Sequence, residues 1–278
     1  MKTASALIIF CFISVCRLRG QEYISTQFSE ANKLFEKNRF FDAVTEYKRL
    51  LFFDSSGTYQ YEANFRIGEC YKAGSKFDDA IKYFSSAEKA ARSEGELFES
   101  KIQIVRSNLL RKTVDRALEL LAMIEKEDKF RNRSEEINYW RGWAYMFADD
   151  WKTAARNFAI IDYNHELRRL ADETDKSKVS VTFAKVISYI LPGAGSIYTG
   201  NFLSGLMSLA WNVASGYWTI NAAVENRVFD SLVVGDLVWL RFYKGSLQNA
   251  EDFAVLKNLE IANKSLRYLQ NEYKGLKP

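Results

Sequence analysis

The chain has 278 residues, of which 47% are hydrophobic, 27% are charged and only two are proline. This composition excludes a wholly disordered chain and a collagen-like repeat, and the scarcity of proline favours long helices. Residues 1–20 hold three basic and no acidic side chains, which leaves 36 basic and 35 acidic ones in residues 21–278. This near-neutral charge gives no argument for nucleic-acid binding.

The N-terminal segment has the pattern of an export signal. Lys2 is followed by an uncharged apolar run of ten residues, Ala6–Val15, which suits a signal peptide and is short for a membrane span. We therefore expect residues 1–20 to be a signal peptide that is cleaved before Gln21. An uncleaved anchor and a lipoprotein attached through Cys16 remain alternatives.

A period of 37 residues runs through the first half of the chain. Four alanines mark the period, a small or apolar residue lies twelve positions before each of them, and an aromatic residue or leucine lies four positions after: Ala43, Ala80, Ala117 and Ala154; Ala31, Gly68, Val105 and Gly142; Tyr47, Phe84, Leu121 and Phe158. Residues three or four positions apart share one face of a helix. The pattern predicts an antiparallel helix pair that is repeated four times.

Two of these units are similar to the tetratricopeptide repeat family. Their matching pairs are Gly68 with Tyr71, Ala80 with Phe84, Gly142 with Tyr145, and Ala154 with Phe158. The period of 37 instead of 34, the missing loop proline and the weak third unit, with Val105 and Asn108, depart from the family pattern. The resemblance implies an all-α fold, with an α-solenoid of about four helix pairs over residues 21–165.

The resemblance also implies a binding surface. In this family the first helix of each unit lines a concave face that holds a protein or peptide partner. The residues expected to bind the partner are Phe28, Phe65, Glu69, Ile102, Arg106, Tyr139, Trp143 and Met146. Alternatively, the apolar members of this set pack on each other or on the C-terminal region.

The chain changes character after a charged linker at residues 166–180. No charged residue or histidine occurs from Val186 to Val224. The 23 residues Phe202–Val224 are long enough for a membrane helix, and Val228–Tyr243 is a shorter apolar run. We expect residues 181–245 to form a hydrophobic helical hairpin in a membrane, where Asp236 would be a costly carboxylate. Alternatively, the hairpin lies at the interface and Asp236 faces water.

A glycine-rich turn precedes this region. Pro192, Gly193 and Gly195 belong to a Leu-Pro-Gly-x-Gly-x-x-Tyr-x-Gly segment, which resembles the entry to small two-helix membrane domains of bacterial proteins. Residues 246–278 then have helix-like apolar spacing and are predicted to form a terminal helix that caps the repeats.

Residue types for catalysis and metal binding are scarce. His165 is the only histidine, and the sequence lacks the common hydrolase, metalloprotease and redox motifs. We expect a non-enzymatic scaffold without a cofactor, in the bacterial inner membrane with a periplasmic repeat domain. The alternatives are an outer-membrane assembly lipoprotein held by Cys16, and a solute or ion conduit of oligomerised hairpins around Asp236.

Overall fold

The computed structural model describes residues 23–278, and this part of the chain contains helices, turns and loops but no strand. It forms two compact units. The first extends to Arg168 and also includes Leu276–Pro278, and the second is Arg169–Gly275. The predicted signal peptide and the predicted lipid attachment at Cys16 lie outside the described residues.

The first unit is built from consecutive packed helices. The described part of α1 covers residues 23–36, and the following helices are α2 (Phe40–Phe53), α3 (Gln60–Ala73), α4 (Phe77–Ala90), α5 (Glu94–Leu110), α6 (Val114–Glu125), α7 (Ser134–Phe147) and α8 (Trp151–Ile161). A 3-10 helix, Asp128–Arg133, precedes α7. Each helix from α2 to α8 packs against the next. The all-α prediction with consecutive helix pairs is confirmed for this unit.

The 37-residue period forms the core of the first unit. The four period alanines and the residues four positions after them are all fully buried. A glycine on the first helix of a pair lets an aromatic ring of the second helix come close. A Cβ atom added to Gly142 would lie 2.5 Å from the Phe158 ring, and one added to Gly68 would lie 2.7 Å from the Phe84 ring. The small residue is therefore required by the ring that covers it.

The turns inside the helix pairs follow the same period. Asn38, Ser75, Lys112 and Asp149 are 37 residues apart, and each has a positive φ of 57–64°. In every turn the next amide donates a 2.9 Å hydrogen bond to the carbonyl oxygen five residues earlier: Arg39 to Leu34, Lys76 to Tyr71, Thr113 to Asn108, and Asp150 to Tyr145. This left-handed residue with its backward hydrogen bond ends a helix and reverses the chain.

The second unit begins within α9 (Glu166–Ser177), so the charged segment 166–180 is largely helical. The remaining elements are α10 (Val181–Ile190), α11 (Ala194–Tyr198), α12 (Phe202–Val224), α13 (Val228–Val233), a π-helical segment (Val234–Trp239) and α14 (Leu240–Asn271). The π segment connects α13 directly to the 32-residue α14. The apolar run Val228–Tyr243 is therefore divided among three elements.

The glycine-rich turn joins helices of the second unit. Pro192 follows the end of α10. Gly193 has a φ of 95°, and its amide donates a hydrogen bond to Ser246 Oγ at 2.8 Å. A Cβ atom on Gly195 would lie 2.1 Å from the Ala184 carbonyl oxygen and 2.6 Å from Ala250 Cβ. The turn thus lets α10, α11 and α14 approach closely.

The expected inner-membrane location is wrong for this structure. Within residues 23–278, no helix combines the length and the apolar character that a membrane crossing needs. Although α12 has 23 residues and no charge, serine, asparagine, threonine and glycine recur along it and lower its mean hydropathy. Asp236 is exposed in the π segment.

Candidate functional site

The first helices of the four pairs form one continuous surface. We call the surface side chains of α1, α3, α5 and α7 the first-helix face. Side chains connect neighbouring pairs along it: the Arg66 guanidinium lies 4.9 Å from the Phe35 ring, and Lys72 Nζ donates to Gln103 Oε1 at 2.8 Å. Further along, the Arg106 guanidinium lies 4.7 Å from the Trp140 ring. These contacts span successive pairs and hold the face together.

Five of the predicted partner-binding residues remain at least partly exposed. Phe28 stacks on Tyr59 with ring centroids 4.6 Å apart, and Phe65 packs edge-on against Phe84 at 5.4 Å. Glu69 pairs with Arg66 at 2.8 Å. Arg106 and Tyr139 are also accessible in part. These residues lie on the first-helix face, although Phe28 and Phe65 are also part of the packing.

Three others are core residues. Ile102, Trp143 and Met146 have 1%, 3% and 1% of their surface exposed, so they are not available on the face of the free chain. Trp143 lies one turn after Tyr139 on α7, but its ring packs 6.2 Å from that of Phe147. The prediction took residues at fixed distances from the small residue of each first helix. Such distances select one side of the helix and do not show which side chains on that side are buried.

Charges on the face also follow the period. Glu62, Glu99 and Glu136 are 37 residues apart, and all three are partly buried. Burial raises the pKa of Glu136, and the negative charge of Glu99 raises it further. Burial also lowers the pKa of Lys72 to about 8, with a second contribution from the nearby Arg106 charge. The face therefore holds incompletely solvated charges of both signs.

Two polar atoms on the face have no hydrogen-bond partner within the described part of the chain. They are Glu62 Oε2 and Arg106 Nε, and both are buried. A carboxylate oxygen accepts from an amide N–H, and a guanidinium N–H donates to a carbonyl oxygen. By their chemistry, one of these atoms can accept from a peptide N–H and the other can donate to a peptide carbonyl oxygen.

The last three residues of the chain occupy this face. We call Leu276–Pro278 the tail. Arg106 Nη2 donates to the Lys277 carbonyl oxygen at 2.8 Å, and Tyr139 Oη donates to the Leu276 carbonyl oxygen. Both acceptors are main-chain atoms, so the face holds the tail through its backbone.

A cavity of about 350 Å³ lies beside the tail. Its walls are Asn132, Arg133, Glu135, Glu136, Tyr139, Trp140, Ile161 and Leu276. Leu276 keeps 66% of its surface exposed, so the tail lines this cavity without filling it. Its lining combines aromatic and aliphatic side chains with two carboxylates and one guanidinium, which suits a side chain of a bound peptide.

Neither the tail nor Trp140 was predicted from the sequence. Trp140 has 1% of its surface exposed and carries the Arg106 guanidinium on its ring. Its position next to Tyr139 gave no signal, because adjacent residues of a helix do not share a face. The tail had none, because contacts through carbonyl oxygens leave no pattern in the side chains.

The second unit has a larger cleft of about 810 Å³, where the structure places Asp236. Arg241 and Lys244 also line it, and all three charged side chains are exposed. Pro192, Gly193 and Gly195 belong to the packing described above and do not line this cleft. Because these charged side chains are exposed, we assign no binding site to this cleft.

Among residues 23–278, no group of three histidine, cysteine or carboxylate residues is placed to hold a metal ion. No protein-family model matches the chain, and no curated protein is significantly similar to it. The arrangement on the first-helix face offers hydrogen-bond donors and acceptors for a peptide backbone and a cavity for one side chain.

Proposed function

We propose that this chain is a non-enzymatic scaffold of the tetratricopeptide type, and that its first-helix face binds an extended peptide segment of a protein partner. The observation that carries the proposal is the pair of hydrogen bonds from Arg106 and Tyr139 to consecutive main-chain carbonyl oxygens. A surface that already holds one peptide backbone has the geometry to hold another.

The repeat architecture supports the proposal. The 37-residue period appears in the buried alanines, in the covering side chains and in the left-handed turns. A regular array of helix pairs keeps the first helices side by side and creates an extended surface. We infer that residues 23–161 form an α-solenoid of four pairs and that this surface is its functional part.

The chemistry of the face favours an extended ligand. Consecutive carbonyl oxygens of an extended chain point in different directions, so donors on two helices are suited to them. Arg106 is on α5 and Tyr139 is on α7, and they engage neighbouring residues of the tail. A helical ligand would use its own carbonyl oxygens internally and offer few to these donors.

A direct test uses residues 271–278 as a synthetic peptide, added to a chain that ends at Gly275. Titration followed by NMR should show saturable shifts of Arg106 and Tyr139 signals, with a dissociation constant on the order of 1 mM or lower. The Arg106→Gln and Tyr139→Phe double variant should weaken binding at least about tenfold, because each lost hydrogen bond contributes about 0.5–3 kcal/mol.

A chemical control isolates the main-chain contact. The same peptide with a thioamide at Leu276 has a weaker acceptor at that atom alone and should bind more weakly to the chain with Tyr139. It should bind like the unmodified peptide to the Tyr139→Phe variant. Absence of saturable binding, or binding that the double variant leaves unchanged, would contradict the proposed function.

A further inference from the structure

The tail occupies the donors that a partner would need. Arg106 Nη2 and Tyr139 Oη both donate to carbonyl oxygens of the tail. A phenolic hydroxyl has one proton to donate. A partner peptide that uses the Tyr139 proton therefore cannot bind there while Leu276 is in place.

The tail also restricts the neighbouring cavity. Leu276 is one of the residues that line the cavity of about 350 Å³, together with Tyr139 and Trp140. A partner whose backbone follows the Arg106–Tyr139 path would place atoms where Leu276 now lies. The two occupants are mutually exclusive at the hydrogen bonds and at the cavity.

The chain leading to the tail is held by local contacts. After α14 ends at Asn271, the amides of Glu272 and Tyr273 both donate to the Tyr268 carbonyl oxygen, at 2.9 Å and 3.1 Å. Tyr273 keeps only 7% of its surface exposed, and a Cβ atom on Gly275 would lie 2.1 Å from the Tyr273 hydroxyl. These contacts fix the local conformation of residues 272–275, which lead to the tail.

From this overlap we infer that the tail is an intramolecular competitor of the partner peptide. The inference rests on the proposed function, and it adds the kind of partner and its regulation. The partner presents an extended segment that follows the backbone path of residues 276–277 and places one side chain in the cavity. It gains access only when the tail is displaced, so an event that withdraws the tail opens the face.

Linkage explains why three residues are sufficient. A ligand attached to its own receptor acts at an effective concentration in the millimolar range without any additional contact. To displace the tail, the partner's concentration divided by its dissociation constant must exceed the same ratio for the tail. Because the tail is only three residues long and Leu276 keeps 66% of its surface exposed, a longer segment that makes more contacts can displace it.

The test compares three chains with one fluorescently labelled probe, the peptide of residues 271–278. The chains are the full chain, a chain that ends at Gly275, and a chain that ends at Lys277. The last keeps the Leu276 carbonyl that Tyr139 binds and turns the Lys277 carbonyl into a terminal carboxylate, which still accepts from Arg106, so it is the control that retains the tail contacts. We expect the chain ending at Gly275 to bind the probe at least about twofold more tightly than either of the other two chains.

The outcomes separate the two claims. Equal binding by all three chains would overturn the competition and leave the peptide-binding function intact. Absence of binding by all three, including the chain ending at Gly275, would overturn the function and the competition together. Circular dichroism should give the same helical signal for the three chains.

The alternative is that the tail of a second copy of the chain occupies the first-helix face, and light scattering distinguishes this case. In that case the full chain would form dimers in light scattering, and its affinity for the probe would fall as the chain concentration rises. An intramolecular tail gives a monomer, and an affinity that is independent of chain concentration. Dimers that disappear when the chain ends at Gly275 would overturn the intramolecular competitor.

Discussion

Glycine brings helices together in both units, but the atom that it approaches differs. In the first unit, which contains the repeated helix pairs and is called the repeat unit below, Gly142 faces the ring of Phe158, which a Cβ atom would meet at 2.5 Å. In the second unit, Gly195 faces the Ala184 carbonyl oxygen, which a Cβ atom would meet at 2.1 Å. A ring can rotate or shift, whereas a carbonyl oxygen moves only with its helix. The repeat unit should therefore tolerate added volume better than the second unit.

The largest expected effect is Gly195→Ala. The new methyl group would collide with backbone of α10 and also with Ala250 Cβ at 2.6 Å, so we expect a loss of about 3 kcal/mol or more in the free energy of unfolding. Gly245→Ala is the matched control, because no atom lies within 4 Å of its Cβ position. In urea denaturation the control should be neutral or stabilised by up to about 1 kcal/mol. Similar losses for both variants would contradict the close approach.

Gly142→Ala gives a smaller loss in the repeat unit. Phe158 must move away from its packed position, and we expect about 1–3 kcal/mol, by analogy with other overpacked cores. Gly95→Ala on α5 is the control, since its nearest atom, Ser93 Oγ, is 3.9 Å from the Cβ position. If Gly142→Ala were as harmful as Gly195→Ala, the distinction between ring and backbone would fail.

A third prediction uses the charge on the first-helix face. Burial and the Arg106 charge lower the pKa of Lys72 to about 8, whereas the unfolded chain keeps its lysine protons up to about 10.5. The unfolded state therefore binds more protons between pH 8 and 10.5, and this lysine penalises the folded state below pH 8. Lys72→Met should be more stable than the native chain at pH 7, by about 1–2 kcal/mol.

The pH dependence supplies the control for Lys72. The stability difference between Lys72→Met and the native chain should shrink as the pH rises through 8 and disappear near 10.5. Urea denaturation at several pH values measures it, and effects of other groups cancel in the difference. A gap that stays constant from pH 7 to 10.5 would show that Lys72 does not titrate as described.

The smallest effect concerns the turns of the repeat unit. Lys112 has a φ of 64°, a backbone conformation that is strained for residues with a Cβ atom but not for glycine. Lys112→Gly should therefore stabilise the chain by about 0.5–1 kcal/mol. Asn38→Gly should change little, because asparagine tolerates the left-handed region. Thermal unfolding can rank the two variants, and destabilisation by Lys112→Gly would contradict the turn geometry.

The two units also differ in how far their sequences predict them. The period of 37 residues predicted the helix pairs of the repeat unit and the buried side chains, because a repeated core leaves a repeated pattern. It did not predict the left-handed residues, since lysine at 112 and aspartate at 149 give no glycine signal. It placed Trp143 and Met146 on the binding face, because helical offset alone cannot show how deeply a side chain is buried.

The second unit was harder to predict for a physical reason. An uncharged helix such as α12 is compatible with a membrane or with a packed protein surface, and only its overall hydropathy and its contacts distinguish the two. The glycines at 193 and 195 indicated a turn, but the sequence did not show which helices they approach. The tail was not predictable, because carbonyl oxygens are the same at every residue.

The central claim is that the first-helix face holds a peptide main chain, and a double-mutant cycle tests it most directly. Tyr139→Phe removes only the hydroxyl that donates to the Leu276 carbonyl oxygen. Its cost in free energy of unfolding should be about 0.5–1.5 kcal/mol larger in the full chain than in the chain ending at Gly275. An equal loss in both chains would contradict the account, because the hydroxyl would then stabilise the fold without the tail.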